Sequence, residues 1–152
     1  MKRLVAVAAV AVVQVACVAA AVGPQLSGRL TGEDHLMEVR PLDPIDPFRG
    51  AYVTLDYPGL APLYDVGHTG DELFVPLVEE DGYWVAASVS RTRPDDGPYL
   101  ACRGGWVADC GIGSWFASQD RAAELERTLA RRGGVATVRI DDRGHATVVD
   151  VR

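Results

Sequence analysis

Twenty consecutive residues, Leu4 to Gly23, run LVAVAAVAVVQVACVAAAVG, and Gln14 is the one strongly polar side chain among them. As a helix rising about 1.5 Å per residue, the stretch reaches ~30 Å, the thickness of a bilayer's hydrocarbon core. Lys2 and Arg3 precede it, so the positive end stays in the cytoplasm and the rest is exported. The run is longer than the ~7–15 residues of a signal h-region, which favours a retained anchor. Its richness in alanine and the small-x-small site Ala19-Ala20-Ala21 keep cleavage, and with it secretion, as the alternative. Cys17 reads as a small membrane-facing residue. Gln14 stands where a lipoprotein signal carries an apolar residue, and the apolar run continues past the cysteine. The chain thus divides into an N-terminal transmembrane anchor (or signal) at 1–23, a linker at 24–34 and an extracytoplasmic domain at 35–152.

Beyond residue 23 there are thirteen basic and twenty-one acidic residues, a net charge of −8. Such a surface argues against nucleic acid as a partner and against binding anionic headgroups through a basic face. It suits a well-solvated ectodomain.

HLMEVRP (35–41) predicts a first strand that stops at the prolines, and the two Asp-Pro steps of LDPIDPF hold the following chain extended or turned. GAYVTLDY predicts a second strand, ended by Pro58-Gly59. DELFVPLV and YWVAASVS predict two more, joined by an acidic turn with Gly82 available for positive φ. Alternation is clear in neither, as in strands buried on both sides or wrapped in a small barrel. The Gly-rich segment 99–116 predicts short strands around Trp106 and Trp115. Then the period changes. SQDRAAELERTLARRGG puts Ala122, Leu125 and Leu129 on one face, with Ser118 as N-cap, Asp120 and Glu124 early, Arg131 and Arg132 late, and a Gly133-Gly134 stop. The end alternates as two strands around Asp141-Asp142-Arg143-Gly144, a hairpin. The fold class is mainly β (α+β): about seven strands in a small barrel-like or sandwich ectodomain, with one C-terminal amphipathic helix before a terminal hairpin.

Among residues able to carry chemistry, Cys102 and Cys110 come first. In an exported chain, two cysteines across a Gly-rich segment read as a disulfide rather than as metal ligands or a redox pair. His35, His68 and His145 are scattered and form no zinc-ligand pair; His68, near Asp65, Asp71 and Glu72, reads as part of a polar loop. No cofactor is implied. There is no GxSxG elbow, and with Lys2 the sole lysine a Ser–Lys dyad has no base in the ectodomain. Ser88 or Ser114 with His145 and an aspartate is a set that composition permits in almost any protein. Glu79-Glu80 and Asp95-Asp96 read as solvated turn charges. The residues point away from an enzyme.

GAYVTLDY resembles the signature of the GDYXXLXY family of bacterial membrane-anchored proteins. Gly50, Tyr52, Leu55 and Tyr57 match, and Ala51 stands in place of the family's Asp. The Asp-Pro lead-in ending in Arg49-Gly50, the GIGSWF segment before the helix and the terminal hairpin are similar to the family as well. The resemblance implies a small single-span protein, in some cases associated with a multi-pass membrane protein; it carries no catalytic residues. Tyr52 and the pair Leu55/Tyr57 are expected on opposite strand faces, one of them in the core. An exposed ring there, with Asp46 and Arg49, would make a partner contact. The reading is a membrane-anchored extracytoplasmic accessory module of the bacterial envelope. The alternative is an envelope hydrolase or small-ligand binder using the Trp106/Trp115 region.

Overall fold

A computed structural model describes residues 2–42 and 52–152. The apolar run is helix α1, Lys2–Thr31, and its stretch Val5–Gly23 is long and apolar enough to cross a membrane. The helix does not end where the apolar residues do. It passes through Pro24, so most of the segment expected as a linker is helical. Proline inside a helix forfeits a backbone bond. Here the turns beyond it are held from outside. Gly28 packs against the His145 carbonyl, and the Arg139 guanidinium donates to the Arg29 carbonyl at 3.0 Å.

Ten strands follow among the described residues: β1 Glu33–Pro41, β2 Tyr52–Asp56, β3 Tyr64–Val66, β4 Glu72–Glu80, β5 Tyr83–Ala86, β6 Tyr99–Arg103, β7 Gly105–Val107, β8 Ser114–Phe116, β9 Gly134–Ile140 and β10 Ala146–Val151. That is more than the sequence pattern predicts, because β3, β7 and β8 have three residues each, too few for alternation to register. A five-stranded sheet in the order β10-β9-β1-β2-β8 curls until β10 comes back alongside β8, giving a nearly closed, barrel-like wall. A three-stranded sheet, β5-β4-β6, and the pair β3-β7 complete it.

The inward residues alternate as a half-buried strand requires. His35, Met37 and Val39 of β1, Val53 and Leu55 of β2, and Leu73, Val75 and Leu77 of β4 are all buried. The acidic turn between β4 and β5 is a two-residue hairpin with φ of 51° at Asp81 and 84° at Gly82, the conformation that suits the twist of paired strands. The second helix, α2 (Gln119–Arg132), buries Ala122, Leu125 and Leu129 against β1 and β2, as their spacing predicts. Ser118 occupies the N-cap but its hydroxyl makes no capping bond, and the helix closes at Gly133, whose N–H donates to the Leu129 carbonyl at 2.8 Å. The β9–β10 tip folds under β6. Gly144, at φ 78°, accepts from the Ala101 amide at 2.9 Å, and a Cβ there would meet the Tyr99 ring and the Ala101 nitrogen.

Candidate functional site

Strand β2 carries the signature and lines a groove. Val53, Leu55 and Tyr57 fall on one face and are buried; the Tyr57 hydroxyl donates to the Ile112 carbonyl at 2.9 Å. Burial pushes that phenol well above its ordinary range, so it stays a neutral donor. Beside the strand lies a mostly apolar cavity of about 320 Å³, bordered by Leu42, Thr54, Leu60, Leu63, Val107 and Ile112. Its floor is core, but its rim is not: Leu42 and Val107 are 59% and 51% exposed, and the neighbouring Trp106 is 80% exposed. Leu42 and Thr54 are tied across the rim by the Leu42 N–H donating to the Thr54 carbonyl at 3.1 Å.

The far wall of that groove is a stapled loop. Cys102 and Cys110 form a disulfide, and inside it Arg103 and Asp109 exchange backbone bonds of 2.8 and 2.9 Å. The loop between them carries β7, which pairs with β3. A cross-link over this short interval restricts the unfolded chain, so the Cys102→Ser/Cys110→Ser variant unfolds with about 2–3 kcal/mol less stability. Denaturant titration of the oxidised chain against the double variant reads the difference; equal midpoints would mean that β3–β7 pairing alone holds the loop.

A second polar centre joins α1 to the β9–β10 hairpin. The buried Asp141 carboxylate accepts from the Ser27 hydroxyl, from the amides of Arg143 and His145 at 2.9 Å each, and from His145 Nδ1 at 3.0 Å. Burial alone would raise its pKa. The donors, led by the Ser27 hydroxyl and the His145 amide, outweigh it and hold the carboxyl below its usual range. Beside it, Arg139 grips Asp34 with two nitrogens at 2.6 and 3.2 Å, and this bonding lowers the Asp34 pKa. The cluster is centred on the carboxylate. Serine donates to the aspartate rather than to the imidazole, so the nucleophile–base bond of acyl-transfer chemistry is not formed. What the arrangement does is fix the end of α1 to the domain.

The other candidates sit apart. His145 is held by Asp141, whereas Ser88 lies in the segment after β5 and Ser114 on β8. His35 is buried, its Nδ1 donating to the Glu33 carbonyl at 2.9 Å and its ring packed edge-on to Trp84 with centroids 4.8 Å apart. The His68 amide donates to Asp71, whose carboxyl that bond and the nearby Arg91 hold low. Trp106 is on β7 and Trp115, half-buried, on β8, and neither borders the groove. Asp46, Arg49 and Gly50 lie outside the described residues, and Tyr52 is described by its backbone alone, which pairs with Phe116. Among the described residues, no three His, Cys, Asp or Glu side chains come together as a metal site. The Ser27–Asp141–His145 joint was not legible in the sequence; its one signal is an Asp placed to accept from amides two and four residues on.

These features define a β-rich domain, stapled by one disulfide and docked on the end of a single apolar helix. The chain belongs to the GDYXXLXY protein family, whose model matches residues 14–151, from inside α1 to the last strand. Comparison with curated proteins gave no match, and comparison with solved structures gave none.

Proposed function

We propose that this protein is a membrane-tethered accessory module of the bacterial envelope, holding its domain outside the cytoplasm and docking a multi-pass membrane protein through the groove beside the signature strand. The observation that carries the reading is the groove itself: a mostly apolar cavity of about 320 Å³ built on the family motif, with Leu42 and Val107 exposed on its rim. Exposed apolar side chains gathered at one concavity mark an interaction surface rather than ordinary surface scatter. The fixed joint between α1 and the hairpin supports the same reading, because it would present that surface at a set height above the bilayer. The acidic ectodomain limits adventitious association with anionic surfaces and leaves the apolar rim as the selective contact.

Affinity capture of the full-length protein from native membranes tests the proposal. One multi-pass protein is recovered in stoichiometric amount with the wild type and lost with Leu42→Asp/Val107→Asp. Recovery that is indifferent to these substitutions would overturn the groove as the contact. The alternative, a small apolar ligand in the same groove, draws on its volume, which falls at the lower end of small-molecule sites. It predicts a ligand that co-purifies with the wild type in place of a protein. A hydrolase gains nothing from the Asp141 cluster, whose serine and histidine both bind the carboxylate.

A further inference from the structure

Helix α1 runs beside the domain before it leaves it. Ala21, still within the apolar stretch Val5–Gly23, lines a cavity of about 480 Å³ with Glu72, Arg103, Asp109 and His145, most of the remaining wall being glycine and alanine. We propose that this cavity receives the headgroup of a zwitterionic aminophospholipid from the outer leaflet of the anchoring membrane, with the phosphate at Arg103 and the ammonium at Glu72 and Asp109. The proposal rests on the membrane-tethered reading above.

Depth is the first support. Crossing a hydrocarbon core takes about 20 helical residues, which uses all of Leu4–Gly23. Ala21 then lies within one helical turn of the boundary where hydrocarbon gives way to headgroups, and the four polar side chains share its cavity. Their chemistry is the second. Two carboxylates and one guanidinium leave the cavity net negative, so it repels a headgroup that brings phosphate alone and accepts one that also brings an ammonium. Arg103 has no ion-pair partner among the described residues. Rigidity is the third. Arg103 faces Glu72 across the β4–β6 ladder and Asp109 across the backbone bridge inside the disulfide, so the backbone positions that carry three of the groups are set on one frame.

The full-length protein is reconstituted in vesicles of equal parts phosphatidylethanolamine and phosphatidylglycerol, floated, extracted in mild detergent and weighed by native mass spectrometry. The wild type retains phosphatidylethanolamine over phosphatidylglycerol by roughly tenfold, the weight of one charge-assisted hydrogen bond. Glu72→Gln, at an exposed position and checked for an unchanged thermal midpoint, brings the ratio near one, while Arg103→Gln, checked in the same way, lowers the retention of both lipids. A ratio near one in the wild type, a ratio that Glu72→Gln leaves unmoved, or retention that Arg103→Gln leaves unmoved, overturns the headgroup site alone. Failure to float with the vesicles overturns the tether and this site together.

Discussion

Tyr57→Ala lowers the unfolding free energy by about 3–5 kcal/mol, the cost of emptying an aromatic site in a packed core. Tyr57→Phe costs about 1–2 kcal/mol, because the ring stays and only the bond to the Ile112 carbonyl is lost. The two values divide the residue's role. The ring packs in the cluster with Leu55, Leu60 and Leu63, while the hydroxyl ties the end of β2 to the segment between the disulfide and β8. Denaturant unfolding of both variants reads the split. If Tyr57→Phe were as damaging as Tyr57→Ala, the hydroxyl would carry the whole role; if neither mattered, the tyrosine that closes the motif would be there for something other than the fold.

Asp141→Ala costs about 3–4 kcal/mol, since it removes the acceptor shared by a hydroxyl, two amides and an imidazole at a buried position. Asp141→Asn retains the shape and one acceptor oxygen and costs less. The pH dependence follows from the lowered pKa of the folded-state carboxyl. The unfolded carboxyl has its ordinary pKa near about 4. A depressed folded value therefore contributes stability that is complete above about pH 4 and is lost as pH falls through the folded value. The gap in stability between wild type and Asp141→Asn is widest at neutral pH and narrows below about pH 4. A gap constant down to strong acid would mean that the charge of Asp141 is not what the hairpin and helix share.

The parts of the fold that were legible in the sequence are those with a sustained period. The α2 stripe of Ala122, Leu125 and Leu129, its glycine stop, the terminal hairpin and the Asp81-Gly82 turn each follow from residue spacing or turn chemistry, and each is found where that logic places it. Strands β3, β7 and β8 were harder to see, because three residues carry no alternation and their pairing is decided by partners distant in the chain. The helical turns after Gly23 were illegible for a related reason. Pro24, Ser27 and Gly28 look locally like a linker, and the helical state of this segment depends on contacts with Arg139, Asp141 and His145 more than a hundred residues away. For the groove, the sequence supplied one wall. Leu55 and Tyr57 stand in the motif, whereas Leu42, Val107 and Ile112 join them only through the sheet topology. The Cys102–Cys110 pairing was legible from compartment and spacing together.

Site-specific photocrosslinking in native membranes tests the docking surface most directly. A photoreactive side chain at Val107, on the groove rim, is compared with one at Thr128, on the exposed face of α2. The account predicts a single adduct with a multi-pass membrane protein from position 107 and none from position 128. Adducts from position 128 with none from 107 would contradict it, and would move the contact from the signature groove to the outer face of the second helix.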